Sequence, residues 1–270
     1  YSVGIGPDLV ARALAERLAQ RWGQPVIVDN KPGASGIVAF AEVRNTAPDG
    51  HTLLVGDTGS LAVNPLIHSA LPYDPARDLA PISLLFRATF LILVSSKSRY
   101  ATVADVLADA RRQPGKVSYA SLGNGHPTQM CVETLARAAN VNLLHVPFKE
   151  AGALFTSVAL GDVDFTVFGL NSASGYLKGG KLKALAVAAP ARLTEAPDSP
   201  TSVEAGGPAV EMRPWAALVG VAGTPPAVLA AIQREVVEAL AAPAVRGRIE
   251  AAGFEVTPST PQQLTARIDA

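Results

Sequence analysis

The sequence predicts an α/β protein of two lobes, each a largely parallel sheet flanked by helices, and three observations carry that reading. Short apolar or β-branched runs alternate with helical patterns, and polar, glycine-bearing loops follow the strands. That is the order of a doubly wound sheet, whose ligands bind beyond the carboxyl ends of its strands. Two long irregular segments, 71–81 and 197–214, break the alternation and mark crossings between lobes. The chain has 270 residues, 49% of them hydrophobic, enough for one large or two modest cores. The boundaries expected are 1–94 with 215–270 for the first lobe and 95–214 for the second, with a ligand cleft between them.

The chain opens with a turn of Gly4, Ile5, Gly6, Pro7 and Asp8 feeding a helix over 9–22, with Leu9, Val10, Ala13, Leu14 and Leu18 on one face and Gly23 as its stop. A strand follows at 25–28. The loop 31–36 then opens a helix ending near Asn45, and Ala47-Pro48-Asp49-Gly50 turns the chain into a strand at 52–55. That strand delivers a further polar loop containing Thr58 and Gly59. Strands at 82–85 and 90–94 come after the first crossing segment, and Thr102 with Asp105 makes a capping box for a helix that stops at Pro114-Gly115.

The stretch 116–130 is the one the reading centres on. A β-branched run, 116–120, enters the glycine turn Ser121, Leu122, Gly123, Asn124, Gly125 and leaves through His126-Pro127-Thr128 into a helix with Cys131, Val132, Leu135, Ala138 and Ala139 at helical spacing. Unpaired N–H donors at such a turn, the positive end of the helix dipole, and the hydroxyls of Ser121 and Thr128 suit a negatively charged group. Glycine turns also join strands to helices where nothing binds. The second glycine turn, before the first helix, raises the weight of the anion reading.

The second lobe continues with a strand at 143–146, a loop carrying Phe148, a helix to about 160, a strand at 163–168 ending at Phe168, a polar loop with Asn171, and a strand at 182–188. The chain returns through 197–214 to a strand at 216–222, a helix after Thr224-Pro225, and a last helix capped by Thr260 and Gln263.

Composition excludes several classes. Twenty-three basic and twenty-three acidic residues cancel, and neither sign forms a block, so nothing points to nucleic acid. No apolar run reaches the roughly 18 residues of a membrane span. A single cysteine makes no internal disulfide. His51, His68, His126 and His145 lack metal-ligand spacing, and no cofactor loop such as Gly-x-Gly-x-x-Gly is present. Nucleophilic chemistry would need a base beside Ser121 or Cys131, with only His126 and His145 available. Asp8 is read as ordering its loop rather than as a general base. The chain begins at Tyr1 rather than methionine, the form expected of a processed product.

A set of motifs falls in a recognisable order: Gly23-Gln24-Pro25-Val26 with Asn30, Pro32 and Gly33 behind it; Ala47-Pro48-Asp49-Gly50; Leu71-Pro72-Tyr73-Asp74-Pro75 with Asp78-Leu79-Ala80-Pro81; Ser121 with Gly123-Asn124-Gly125; His145-Val146-Pro147; and Gly180-Lys181-Leu182-Lys183-Ala184-Leu185-Ala186. In that order they resemble the extracytoplasmic receptors of tripartite tricarboxylate transporters, the Bug or TctC-like family, over essentially the whole chain. The resemblance implies a periplasmic solute-binding protein of the type II, Venus-flytrap fold, not an enzyme, handing a small organic acid to membrane permease subunits. A monomer without cofactor or metal is the default expectation.

The same resemblance maps the ligand's carboxylate onto two turns, Gly4, Ile5, Gly6, Pro7 and Asp8 in one lobe and Ser121, Gly123, Asn124, Gly125, His126 and Thr128 in the other, with Thr58, Gly59, Phe148, Phe168 and Asn171 beside them. This chain departs from the family at Ile5, at His126, and at Phe168, where many members carry an aspartate that can meet a ligand amine; a ligand without an ammonium group is therefore expected. Two alternatives stay open: the effector-binding half of a LysR-type regulator, which should be preceded by a helix-turn-helix segment, and a small hydrolase or transferase on the same lobes.

Overall fold

The computed structural model describes residues 3–4, 6–193 and 195–269. The chain divides into two compact units, Tyr1–Ala88 with Pro214–Ala270, and Thr89–Arg213. In chain order the first unit begins with helix α1 (Gly6–Trp22), α2 (Ile37–Val43), strand β1 (Leu54–Asp57), a wide helical turn over Gly59–Val63, the short helices α3 (Asn64–Ile67) and α4 (Pro75–Asp78), and β2 (Leu79–Ala88). The second unit holds β3 (Phe90–Ser95), α5 (Val103–Arg112), β4 (Ser118–Ser121), α6 (Pro127–Ala139), β5 (Leu144–Pro147), α7 (Ala151–Leu160), β6 (Phe165–Gly169), α8 (Leu170–Lys178) and β7 (Leu182–Val187). The chain then completes the first unit with β8 (Trp215–Val221), α9 (Pro226–Ala241), α10 (Pro243–Ala251), β9 (Phe254–Val256) and α11 (Pro261–Ile268).

Local chemistry accounts for the helix ends. In α1, Val10, Leu14 and Leu18 recur on one buried face, each stabilising the fold by roughly 1.5–3 kcal/mol. Gly23 closes that helix at φ 64°, its N–H donating to the Ala19 carbonyl. Both predicted capping boxes are present: Thr102 and Asp105 start α5, and Thr260 and Gln263 start α11, each pair exchanging side-chain and backbone bonds.

The first unit's sheet runs β1-β8-β2-β9 and every pairing is antiparallel. This corrects the expectation of a largely parallel sheet. β8 follows the second unit in the chain and inserts between β1 and β2, antiparallel to both, so the two strands that look like successive members of a wound sheet never pair with each other. The segment 25–28 is also no strand: it has no regular secondary structure, Ile27 is 84% exposed, and it has no ladder partner among the described residues. The second unit's sheet, β5-β4-β6-β3-β7, is mixed, with β5, β4 and β6 parallel and β3 antiparallel to both its neighbours.

The ladder of Phe90–Ser95 with β6 and β7 places that strand in the second unit, although the sequence reading assigned 90–94 to the first lobe. The division falls at Ala88 and Thr89 on the outward path and at Arg213 and Pro214 on the return. Each unit has its own core: Phe40, Leu54, Leu61, Tyr73, Leu84, Trp215 and Val219 in the first, Leu91, Leu93, Leu154, Phe155, Val158 and Phe168 in the second. Trp22 is exposed at the end of α1.

Candidate ligand-binding site

The residues singled out from the sequence fall into two groups, one per unit. In the second unit β5, β4 and β6 are parallel neighbours, so their carboxyl ends lie side by side. The segments leaving them gather at one edge of the sheet: the turn after Ser121, Phe148 after β5, and Asn171 in the first turn of α8. Ligands of parallel sheets bind at that edge. Phe148 N–H donates to the Ser121 carbonyl at 2.8 Å, tying two of these exits together.

Gly123 and Gly125 bend the turn at φ 107° and 73°, a conformation glycine adopts without strain. The turn was expected to present bare N–H groups, and here the structure corrects the reading. Leu122 N–H donates to Thr128 Oγ1 (3.1 Å), Gly123 N–H to Ser121 Oγ (3.0 Å), Gly125 N–H to Gln129 Oε1 (2.8 Å) and Thr128 N–H to His126 Nδ1 (3.2 Å). His126 N–H donates to the Gly123 carbonyl at 3.3 Å. Hydroxyl, imidazole and carboxamide acceptors lie two to six residues from the donors they reach, and such local side-chain bonds cap free backbone groups at low entropic cost. Ser121 and Thr128 are fully buried and fasten the turn. His126 caps α6 rather than standing in solvent, with Nδ1 also 2.8 Å from Thr128 Oγ1.

Behind the turn runs a connected polar network. Tyr119, Ser121 and His145 share one face of the sheet because side chains alternate along paired parallel strands, Tyr119 lying opposite His145. The two rings stack with centroids 5.0 Å apart and 20° between planes. His145 Nε2 lies 2.6 Å from Ser121 Oγ, and its Nδ1 lies 3.5 Å from Gln129 Nε2. An amide nitrogen only donates, so Nδ1 is the acceptor and the ring proton sits on Nε2, directed at Ser121. The Ser121 hydroxyl proton then points to the Gly123 carbonyl at 3.3 Å. The Tyr119 hydroxyl donates to Glu133 on α6. Burial pushes the Tyr119 phenol up, and Glu133 adds to the shift. Burial holds His145 below the usual imidazole value, while Glu133 pulls in the opposite direction.

A serine hydroxyl against an imidazole is the geometry of a nucleophile and its base. Here the hydroxyl is buried and already accepts Gly123 N–H, and the other ring nitrogen meets a neutral amide instead of a carboxylate. The pair therefore locks a turn rather than activating an attack. Cys131 is buried on α6, and burial pushes its thiol up to about 12. Phe168 is spent on the core, its ring 4.8 Å from that of Phe155 and 6.5 Å from that of Phe90. Asn171 is half-buried.

In the first unit, Asp8 is buried at the start of α1 and accepts three bonds, from Gly4 N–H (2.9 Å), Arg12 Nε (3.0 Å) and Asn30 Nδ2 (2.8 Å). Arg12 also donates to Asn30 Oδ1 at 2.8 Å. Burial raises the Asp8 carboxyl, but the bonds from Arg12, Gly4 and Asn30 outweigh it and hold the group below its ordinary value. Asp8 thus orders the turn. Gly6 is required by contact: a Cβ there would stand 2.2 Å from Phe254 Cζ. Gly6 and Pro7 open the helix and Gly4 takes φ 81°; Ile5 lies outside the described residues. Thr58 accepts Trp215 N–H on Oγ1 at 2.9 Å, which joins the end of β1 to the start of β8, and Gly59 is buried in the helical turn that follows.

Sequence reasoning left Arg12, Asn30, Gln129 and Tyr119 off the site, and weighed His145 as a base, a metal ligand and a family motif but not as a partner of the turn. Gln129 was legible as the helical residue four after Gly125. His145 required the strand register, which places it across from Tyr119. Among the described residues no three His, Cys, Asp or Glu side chains cluster as metal ligands, and no helix is long and apolar enough to cross a membrane.

The family model for the tripartite tricarboxylate transporter family receptor matches residues 10–269. A UPF0065 protein from the tcbD-tcbE intergenic region of a Pseudomonas species is 32% identical over 265 residues, covering 98% of this chain and 79% of its own length. Among solved structures, a Rhodopseudomonas palustris protein with adipate superposes at TM-score 0.93 with 28% identity, over 99% of this chain and 90% of its own. MatC from Rhodopseudomonas palustris with bound malate superposes at 0.89 with 30% identity, over 99% and 92%.

Proposed function

Because this chain belongs to the tripartite tricarboxylate transporter receptor family, we propose that it captures a small organic acid in the periplasm, a di- or tricarboxylate or a close relative, and presents it to membrane permease subunits. It is a receptor and not an enzyme, as are its family and structural neighbours. The observation that carries the carboxylate reading is the turn 121–126 at the carboxyl end of β4, which delivers the amino terminus of α6 to the edge where three parallel strands end. The malate held by MatC and the adipate held by the second Rhodopseudomonas palustris protein support it.

The turn's donors already have neutral acceptors. A carboxylate that displaces one gains only the difference between a charged and a neutral bond, since charge-assisted bonds are roughly twice as strong. A micromolar ligand needs about 8 kcal/mol in total. One turn working by exchange falls short of that, so contacts beyond the turn must supply the rest. Phe168 offers no carboxylate at a position where the family pattern often has aspartate, which favours ligands without an ammonium group.

Titration calorimetry and thermal melting with malate, adipate, citrate, aspartate and glutamate test the reading. At a hundredfold excess over Kd a true ligand stabilises the protein by about 2.7 kcal/mol. Absence of a shift with every carboxylate would overturn the assignment, and aspartate or glutamate as the tightest ligand would overturn the ammonium argument alone.

A further inference from the structure

We propose that Gln129 and His145 are positioning residues that set how many backbone donors the turn 121–126 offers an anion. When His145 takes up a second proton from solvent, Gln129 turns its carbonyl to the imidazole and leaves Gly125 N–H free. The proposal rests on the carboxylate reading above and deepens it by naming what regulates the site. Its basis is a conflict of donors. Gln129 now spends its oxygen on Gly125 N–H at 2.8 Å and its nitrogen on His145 Nδ1 at 3.5 Å. An imidazolium carries protons on both nitrogens, so Nδ1 becomes a donor and can no longer face an amide NH2. Rotating the carboxamide resolves that clash and creates another, NH2 against Gly125 N–H, which an incoming carboxylate relieves.

His145 Nε2 keeps its bond to Ser121 Oγ in both states, so the turn stays anchored while one donor is released. The titratable groups facing the imidazole are Tyr119 from β4, stacked on it, and Glu133 from α6, which favours the charged ring. The titration falls below the ordinary imidazole range because burial outweighs Glu133.

The test follows the Gly125 amide and the His145 ring by NMR between about pH 5 and 8, and measures malate and adipate affinity by calorimetry over the same range. In the unaltered protein the Gly125 resonance should move with the His145 midpoint, and affinity should rise about tenfold towards the acid end, one charge-assisted hydrogen bond's worth. Gln129→Met should uncouple the two resonances. Gln129→Glu keeps an acceptor on Gly125 at every pH, so it should abolish the affinity slope and weaken binding at both ends; ligand protonation is common to all variants and cancels. Melting curves confirm that both variants are folded. A Gly125 resonance indifferent to His145, or equal affinity slopes in the unaltered protein and Gln129→Glu, overturns the proposal while leaving a receptor that binds. Coupled resonances with neither acid bound at any pH support the coupling and count against the carboxylate reading instead.

Discussion

Replacing Asp8 with alanine tests whether the first turn is held by its carboxylate. The buried group accepts Gly4 N–H, Asn30 Nδ2 and Arg12 Nε. Arg12 is 45% exposed and rehydrates when released, so its loss costs little. The Gly4 and Asn30 donors lose a charged acceptor at about 1.5 kcal/mol each, which gives about 3 kcal/mol. Asp8→Asn keeps one acceptor oxygen and should lose about half of that. Guanidinium unfolding followed by tryptophan fluorescence is the assay, since Trp22 and Trp215 both lie in the first unit and report on it directly. The carboxyl is held below its ordinary 3.8 in the folded chain. The stabilisation is therefore complete above that value and disappears as pH falls through the lower folded one, and Asp8→Asn should flatten this acid limb. An Asp8→Ala protein within about 0.5 kcal/mol of the unaltered chain would refute the reasoning.

Other substitutions probe single contacts. Gly6→Ala places a methyl against Phe254, whose ring is itself packed 4.5 Å from Phe86, and should cost about 1–3 kcal/mol by thermal melting; an unchanged melting temperature would show that the ring yields freely. Thr102→Ala removes the cap of α5 and should destabilise the second unit by about 1 kcal/mol, with Thr102→Ser restoring most of it, as read by hydrogen exchange of the first helical turn. Cys131 should resist Ellman's reagent in the native protein at about pH 8 and react only with unfolding, because the thiol is buried and its pKa is pushed up to about 12; fast native labelling would contradict this.

What was legible in the sequence was local. The capping boxes at Thr102 and Thr260, the stop at Gly23 and the turn before α6 are each decided by residues within a few positions of one another. The direction of the first sheet was not, because β8 comes from more than a hundred residues beyond both of its partners and no periodicity announces which strand it will separate. The site shows the same division. Glycines 123 and 125 marked the turn, yet the acceptors that occupy its donors, Thr128, Gln129 and His126, were read as a binding surface or passed over. Short polar side chains next to a tight turn satisfy it before any ligand arrives. His145 is distant in the chain, and only the pairing of β4 with β5 brings it to Ser121.

The placement of β8 also dictates an order of events during synthesis. The second unit is one uninterrupted segment and has all of its strands once Arg213 has been made. The first unit is made largely earlier but must wait, because β1 has no ladder partner before β8 is made and β2 none before β8 and β9. Until then both strands present unsatisfied edges, the exposure that invites aggregation in nascent chains. A chain halted on the ribosome short of Trp215 would thus carry a finished later half and an unfinished earlier one, the reverse of the usual amino-terminal-first sequence.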